Sequence, residues 1–189
     1  MKNEELIANY LEGDISAFNV LVRKHQGQLF NFLLKYIGDR EVAGDIMQQT
    51  FVLMYKKLKK LKEREKFKSW LYSIAINQSK NYFRKKREIN FSEITINDDL
   101  EFNPGKEHQF KTNDQTSNLI IKQALQTIPR EQRVVIIMKQ YHNLKFTEIA
   151  SILNEPVNTV KARMYYGLNA LRKVIVKWGI GKEDLGYEM

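Results

Sequence analysis

The chain has 189 residues, with 31 lysines and arginines against 22 acidic residues, a formal net charge of +9 and no cysteine. A chain of this length forms one domain or two small ones, and without cysteine it holds no disulfide, no cysteine-ligated metal and no thiol nucleophile. Its apolar runs, such as residues 134–138, fall far short of the roughly 20 residues that span a bilayer, and its N-terminus lacks the pattern of a signal peptide. The sequence therefore predicts a soluble cytoplasmic protein without membrane insertion.

The charge is unevenly distributed along the chain. Two blocks are basic: residues 51–90 carry 13 basic and 3 acidic side chains, and residues 119–189 carry 11 basic and 6 acidic ones. The other two are acidic: residues 1–50 carry 5 basic and 7 acidic side chains, and residues 91–118 carry 2 basic and 6 acidic ones. A surface charged only for solubility would mix the two signs, so two basic blocks predict two separate contacts with a polyanion. Nucleic acid is favoured over a membrane surface because the basic blocks also carry aromatic and polar side chains suited to bases.

The first 87 residues have the apolar spacing of amphipathic helices, with no competing strand alternation. Each of two glycine breaks is followed by an aspartate, Asp14 or Asp39, which is a predicted helix N-cap. A lysine-rich loop from about residue 58 to 66 then leads into a predicted helix over 67–87. This half of the chain is predicted to be an all-helical domain.

One side of the helix over 67–87 combines stacking, hydrogen-bonding and basic side chains. At 100° per residue, that side carries Trp70, Ser73, Asn77, Asn81 and Arg84. It is distinct from the apolar side and ends in the basic run 84–87, which includes Lys85. Aromatic rings interleaved with cations are typical of a surface that binds unpaired bases, because rings stack on bases and cations follow the phosphates. Two plainer interpretations stay open: Trp70 as a core residue, and the run 84–87 as a nonspecific phosphate patch.

A helix-turn-helix pattern follows a polar, acidic and aperiodic segment, 89–118, which is typical of an interdomain linker. A short helix over 146–153 and a long one over about 157–178 flank the tight turn Asn154-Glu155-Pro156. Asn154 tolerates the left-handed backbone that such a turn uses, and proline suits the first turn of a helix. The pattern predicts that the second helix leaves one face free for the DNA major groove.

The long helix over about 157–178 has two different faces. A predicted buried stripe steps by three or four residues through Val157, Val160, Met164, Leu168, Leu171 and Ile175. The opposite face carries Asn158, Thr159, Ala162, Arg163, Tyr165, Tyr166, Asn169 and Lys173. Asn and Arg side chains read base edges bidentately, whereas Lys and Thr more often hold phosphates. The plainer alternative is a helical hairpin whose outer face is merely solvated.

Taken together, three segments resemble the extracytoplasmic-function (ECF) sigma factors, the small sigma-70-type subunits that direct bacterial RNA polymerase to promoters. Residues 39–51 are similar to the family's polymerase-binding helix, and residues 157–163 to its minus-35 recognition helix. Residues 67–75, with Asn77 and Arg84, are similar to its minus-10 recognition and melting segment. The chain departs from the family's usual residues at five positions. Gly44 and Gln49 stand where acidic residues are usual, Tyr55 where Trp is usual, Asn81 where Asp is usual and Asn154 where Gly is usual.

The resemblance implies an all-α fold of two small helical domains joined by a flexible acidic linker. Residues 1–88 would form sigma region 2, 89–118 the linker, 119–180 sigma region 4 with its helix-turn-helix, and 181–189 a tail. The implied polymerase-binding residues are Asp45, Gln48, Gln49 and Phe51. The implied contacts with the minus-10 element, read as unpaired nontemplate DNA, are Lys60, Trp70, Ser73, Asn77, Asn81, Arg84 and Lys85. The implied contacts with the duplex minus-35 element are Asn158, Thr159, Lys161, Ala162, Arg163 and Tyr166.

The partners implied by this resemblance are core RNA polymerase, promoter DNA in duplex and single-stranded form, and an anti-sigma factor as regulator. No cofactor is expected, and polymerisation belongs to the core enzyme, so the chain is not expected to be an enzyme. One rival hypothesis is a stand-alone helix-turn-helix transcriptional regulator whose first 88 residues dimerise or sense a signal.

A second rival hypothesis is an enzyme that acts on nucleic acid, such as a nuclease. The sequence shows no converging acids that would support it, because Asp98, Asp99 and Glu101 fall in the linker and are predicted to be solvated. The three histidines are scattered without the spacing of metal ligands. Of these, His25 lies on an apolar helix stripe and is predicted to be structural.

Overall fold

The computed structural model describes residues 1–93 and 114–181, with side chains at 1–88 and 119–181. The α-helices of these ranges are α1 Asn3–Leu11, α2 Ile15–Ile37, α3 Arg40–Lys57, α4 Phe67–Glu93, α5 Asp114–Thr127, α6 Arg130–Gln140, α7 Phe146–Leu153 and α8 Val157–Lys177, with short 3-10 turns at Leu58–Lys60 and Arg64–Lys66. The all-α prediction is confirmed. Within these ranges, no helix is both long and apolar enough to cross a membrane.

Helical structure reaches further into the predicted linker than the periodicity indicated. α4 continues to Glu93 and α5 begins at Asp114. Residues 88–93 contain neither proline nor glycine, and a helix that has already formed extends at little cost because each added residue gains a hydrogen bond. The remainder of the segment, with Asp98, Asp99, Glu101 and His108, lies outside the described residues, as does the tail beyond residue 181.

Both predicted aspartate caps are confirmed. Asp14 Oδ1 accepts hydrogen bonds from the backbone N–H groups of Ser16 and Ala17 at 2.8 and 3.3 Å. Asp39 Oδ1 accepts from the two equivalent groups of α3 at 2.9 and 3.1 Å. Each cap satisfies donors that a helix leaves unpaired at its start. Gly38, at φ 88°, ends α2 in the left-handed conformation that glycine adopts without steric cost.

The N-terminal unit, α1–α4, packs around an aliphatic and aromatic core. Its fully buried side chains include Leu6, Ile7, Leu21, Leu29, Phe32, Leu33, Met54 and Leu71. His25 is buried among them, with Nε2 3.1 Å from Asn3 Oδ1. Burial is the main reason that its pKa falls to about 4, with smaller effects of Lys24 and Lys68. The imidazole is therefore neutral at physiological pH, and its predicted structural role is confirmed.

The C-terminal unit, α5–α8, contains the predicted helix-turn-helix. Asn154 ends α7 at φ 55°, so the predicted left-handed turn is confirmed, and Val160 and Met164 of α8 are buried as predicted. The prediction for Leu168 is wrong, because that side chain is exposed and the buried position is Gly167. A Cβ at residue 167 would lie 2.7 Å from Ile136 Cδ1, so α8 packs closely on α6 at a position where it has no side chain.

The two units pack directly against each other. α2 contacts α5 and α6, and α4 contacts α7. The side chains and backbone groups of Lys35, Tyr36 and Tyr72 meet those of Gln126, Arg133 and His142. These six residues define what we call the joint.

Candidate nucleic-acid interface

The middle of α3 borders a groove that combines polar and apolar side chains and has no lysine or arginine in its lining. Asp45, Gln48 and Gln49 are exposed and line this shallow groove of about 460 Å³ together with Val52, Leu53 and Gln78. Phe51, which the sequence grouped with them, is half-buried and packs against the core. The structure therefore brings three of the four predicted polymerase-binding side chains together on one face, and it turns the fourth inward.

Lysines at the end of α3 and in the α3–α4 connection line a cleft of about 640 Å³, together with residues at the start of α4. Lys60, Trp70 and Ser73 lie in it, so three of the predicted minus-10 residues come together from two segments. The remaining lining residues of the N-terminal unit are Lys57, Leu61, Lys62, Glu63, Lys66 and Ser69. Such a concentration of ammonium groups around an indole ring suits a phosphate backbone with an unstacked base. We call this the lysine cleft.

Trp70 takes part in both the core and the lysine cleft. Its ring is half-buried, with its centroid 6.0 Å from that of the buried Phe67, and it also lines the cleft. The Ser73 hydroxyl donates to the Trp70 carbonyl at 2.7 Å, so its oxygen is left as an acceptor. The two interpretations of Trp70 that the sequence left open are thus combined in one side chain.

Further along α4, past the lysine cleft, the polar stripe of the helix is exposed to solvent. Asn77, Asn81, Arg84 and Lys85 are all exposed. Arg84 is 3.8 Å from Glu88, and both side chains are about two-thirds exposed, at 69% and 67%. An ion pair this exposed is weak because water screens it. The stripe therefore presents amide groups and available cations along a single helix face.

The predicted minus-35 face of α8 is exposed only in part. Asn158, Lys161, Ala162 and Tyr166 are exposed, and Thr159 is half-buried. Arg163 differs from them, because its Nη2 donates to Glu155 Oε1 at 3.0 Å across the turn. The two side chains are 26% and 31% exposed. Arg163 also borders a second cleft of about 360 Å³ between the units, together with Tyr36, Lys80, Phe83 and Arg130.

Sequence reasoning missed the polar residues of the joint. Arg133 is buried, and its guanidinium donates to the carbonyl oxygens of Tyr36, Gln126 and Ile128. His142 Nδ1 lies 2.9 Å from the Tyr72 hydroxyl, which contacts it from the other unit. An arginine placed immediately before the apolar run 134–138 was the available signal. It could not identify acceptors so distant in sequence.

The described residues hold no cluster of three or more histidine or acidic side chains that could bind a metal ion. Apart from the Glu63 carboxylate, which pairs with Lys66, the polar side chains of the lysine cleft and of α8 carry ammonium, amide, indole N–H, hydroxyl and guanidinium groups. These groups bind phosphates and base edges. The surface is therefore suited to nucleic-acid binding.

Comparison with protein families agrees with this chemistry. The family described as sigma-70 region 2 matches residues 21–89, and the family described as sigma-70, region 4 matches residues 118–171. Among curated proteins, the chain is 27% identical to the RNA polymerase sigma-H factor of Pseudomonas aeruginosa over 183 residues, covering 92% of this chain and 94% of that protein. It is 26% identical to the ECF RNA polymerase sigma-E factor of Escherichia coli over 178 residues, with 90% and 93% covered.

Solved structures share the fold. The sigma factor RpoE of Bartonella quintana, solved in complex with the anti-sigma factor NepR, has a TM-score of 0.68 at 22% identity, covering 85% of this chain and 98% of that one. CnrH, solved in complex with the cytosolic domain of CnrY, also has a TM-score of 0.68, at 19% identity, covering 93% and 97%. With both sigma-70 regions matched in order and relatives aligned over nearly their full length, the chain belongs to the sigma-70 family of RNA polymerase sigma factors, in its ECF group.

Proposed function

We propose that this chain is an alternative sigma factor that binds core RNA polymerase and directs promoter-specific transcription initiation in the cytoplasm. It reads the minus-10 element as unpaired nontemplate DNA and the minus-35 element as duplex. Like other sigma factors, it is an initiation factor and not an enzyme. The domain division is that of sigma region 2 in 1–88 and sigma region 4 in 119–180, joined by residues 89–118.

One observation carries the proposal: the N-terminal unit presents two faces of opposite chemistry. The α3 groove is lined by Asp45, Gln48 and Gln49 and by no lysine or arginine. The lysine cleft is lined by four lysines around Trp70. A groove without cations suits a protein partner, and a cleft of cations with an indole ring suits single-stranded nucleic acid. A regulator that bound only DNA would not need the first face.

The two DNA contacts follow from the chemistry of α4 and α8. Along α4, Asn77 and Asn81 can bind base edges while Arg84 and Lys85 hold the backbone. Taking a base out of its stack costs a few kcal/mol, which stacking on Trp70 offsets. On α8, Arg163 and Asn158 have the bidentate donors that read base edges in the major groove.

A protein regulator is part of the proposal. Two sigma factors of the same fold were solved with such partners, NepR, an anti-sigma factor, and the cytosolic domain of CnrY. We infer that an anti-sigma factor binds this chain as well and competes for the faces that bind polymerase and DNA.

The proposal is tested by transcription in vitro with core RNA polymerase on a library of random promoters. We expect initiation that depends on this chain and enriches paired upstream and downstream elements. Asp45→Lys should abolish polymerase binding and initiation, because it places a cation in the groove. Glu12→Lys, which makes the same change at an exposed position of the N-terminal unit outside the groove, should leave both intact.

The stand-alone regulator makes the opposite prediction. It requires tight operator binding by the isolated chain and no dependence on polymerase. Absence of chain-dependent initiation, under conditions where a known sigma factor is active with the same core enzyme, would overturn the proposed function.

A further inference from the structure

A third pocket, of about 470 Å³, lies where α2, the start of α4 and the connection between α6 and α7 meet. Its volume is within the range of small-molecule sites, roughly 300–1,000 Å³. Its lining is polar, with Gln28, Asn31 and Lys35 from α2, Lys68 from α4, and His142 and Asn143 from the α6–α7 connection. We call it the joint pocket, because Lys35 and His142 also belong to the joint.

The lining of the joint pocket contains cations and no carboxylate. Lys35 and Lys68 are both half-buried, and neither takes part in an ion pair among the described residues. The lysine cleft, in contrast, includes Glu63, and the second cleft includes Glu131 and Glu155. A cleft lined by one sign of charge concentrates counter-ions. The joint pocket is therefore suited to a small anion.

Lys68 lies at a position where a helix disfavours a cation. It is the second residue of α4, and the first turn of α4 has no acidic side chain. The positive end of the helix dipole disfavours a lysine at such a position and favours an anion. Burial lowers the pKa of His142 to about 4, and Lys68 and Lys35 lower it further by smaller amounts. An anion bound beside these groups would offset their repulsion.

Packing fixes the two rings that border the pocket. His142 Nδ1 lies 2.9 Å from the Tyr72 hydroxyl, and its ring meets that of Phe32 edge-on at a centroid distance of 5.5 Å. The ring nitrogen of His142 that is left for a ligand is therefore Nε2. On the other side of the pocket, Lys35 Nζ lies 4.8 Å from the centre of the Tyr141 ring. Groups held in place before binding lose little freedom when a ligand arrives.

We propose that the joint pocket binds a small phosphorylated molecule, with its phosphate group between Lys35, Lys68 and His142. In this arrangement the Tyr72 hydroxyl donates to Nδ1 of His142, and Nε2–H donates to the phosphate. A phosphate group suits the site better than a carboxylate because it offers three strong acceptor oxygens. The side-chain amides of Gln28, Asn31 and Asn143, all exposed at the rim, would hydrogen-bond the rest of the molecule.

The site is separate from the surfaces assigned to polymerase and DNA. None of the residues that line the joint pocket lines the α3 groove or the lysine cleft. The proposal therefore goes beyond the proposed function and does not rest on it, because it concerns binding to the chain alone.

The test titrates the full chain with inorganic phosphate at pH 7 and constant ionic strength, and follows the histidine ring signals by NMR. Phosphate should shift the ring signals of His142, which are assigned by their loss in His142→Gln. The ring signals of His25 are the internal control. His25 is buried within the N-terminal unit and does not line the pocket, so its signals should stay in place.

Two charge-removing variants test the donors. Lys35→Gln and Lys68→Gln should each weaken phosphate binding about tenfold, because each removes a hydrogen bond to a charged group. Arg23→Gln removes a charge from an exposed position of α2 that does not line the pocket, and it should leave phosphate affinity nearly unchanged. Circular dichroism checks that each variant is folded. If one of the two lysine variants unfolds, the other and the His142 signal of the parent chain decide.

Three results would overturn the proposal. Equal weakening by Arg23→Gln and Lys68→Gln would show that the net charge of the chain attracts phosphate without a defined site. Weakening by Lys66→Gln but not by Lys68→Gln would place the phosphate in the lysine cleft, which Lys66 lines.

The third overturning result concerns nucleic acid as the source of the phosphate. A single-stranded oligonucleotide that shifts the His142 signals more than inorganic phosphate does, at the same concentration of phosphate groups, would make the pocket a further DNA contact. Failure of the proposed function is distinguishable from all three, because it appears as absence of transcription with core polymerase, whereas the phosphate titration uses no polymerase.

Discussion

The two helices proposed to contact DNA, α4 and α8, present their side chains in different ways. On α4, the stripe from Asn77 to Lys85 is exposed, and its cations have only weak or distant partners. On α8, Arg163 is held by Glu155 and borders the cleft between the units. A fixed guanidinium is suited to read one base, whereas free cations are suited to follow a backbone of any sequence.

The two helices also differ on the faces that pack against the rest of the protein. α8 approaches α6 so closely that Gly167 faces Ile136 and Gln132 without a side chain between them. α4 rests on larger groups, among them the buried Leu71, Tyr72 and Ile76. α8 thus packs on α5, α6 and α7 with one position, residue 167, where added volume would meet α6 directly. Among its DNA-facing side chains, Arg163 borders the cleft between the units. We therefore expect single substitutions in α8 to have larger effects than substitutions on the exposed stripe of α4.

The largest effect is expected for Arg163→Ala. Loss of a bidentate base contact costs about 1–3 kcal/mol, or roughly 5–150-fold, at the base it reads. In the promoter library, preference at one upstream position should disappear while minus-10 preference persists. Arg172→Ala, at an exposed position of the same helix, is the matched control. A uniform loss on every promoter would show that Arg163 holds phosphate instead.

Gly167→Ala tests the close approach behind α8. Overpacking costs about 1–3 kcal/mol, more than the roughly 0.5–1 kcal/mol that alanine gains over glycine in a helix interior, so we expect a lower midpoint of unfolding in urea. Gly44→Ala, in α3, is the control, because a Cβ there meets nothing within 4 Å. It should stabilise the chain by roughly 0.5–1 kcal/mol. Stabilisation by both changes would contradict the close approach.

Acid should weaken the joint through His142. Burial, with smaller effects of Lys68 and Lys35, lowers the pKa of His142 from 6.5 to about 4. A pKa depressed in the closed state contributes stability above pH 6.5 that is lost as the pH falls toward 4. A dye pair attached at Asn19→Cys and Lys173→Cys, one exposed position in each unit of this cysteine-free chain, should therefore report a more open chain at pH 5 than at pH 7.

His142→Gln tests the source of this pH dependence. Glutamine keeps a polar group near the Tyr72 hydroxyl and does not titrate, so the dye signal should become flat between pH 7 and pH 5. His25 has a pKa lowered to the same extent, but it lies inside the N-terminal unit, so its protonation should appear in circular dichroism as unfolding. An unchanged acid response in the variant would assign the opening to another group.

The smallest effect is expected for Lys85→Ala. This exposed lysine holds backbone phosphate in the proposal, so its loss should weaken DNA binding by the holoenzyme about equally on all promoters. The slope of log affinity against log salt should fall by about 1. Lys24→Ala, which removes an exposed charge from α2, should leave the slope unchanged. A change of sequence preference on mutating Lys85 would contradict its assignment to the backbone.

Short-range features of the fold were predictable from the sequence. The caps at Asp14 and Asp39 depend on hydrogen bonds within three residues, and the turn at Asn154 depends on one backbone conformation. Leu168 was assigned wrongly because spacing by three and four residues allows either residue 167 or 168 to continue the stripe. Only the position of α6 selects glycine there.

The sequence predicted which residues form the candidate site better than it predicted which of their side chains are exposed. Most of the predicted residues of α3, α4 and α8 are exposed, but Phe51 packs inward and Trp70 lies between core and cleft. Nor did the sequence reveal that Glu155 holds Arg163. Exposure depends on what packs over a helix, and periodicity describes only one helix at a time.

By itself the sequence determined the helices, their caps, the helix-turn-helix, the segregation of charge and the family. Each of these depends on residues close together in the chain or on the order of segments along it. Only the tertiary structure decided that the two units close on each other through Arg133 and Tyr36, 97 positions apart. The acceptors are backbone carbonyls, which every residue carries, so no side-chain pattern marks them. They become distinctive only where a helix ends against a buried guanidinium.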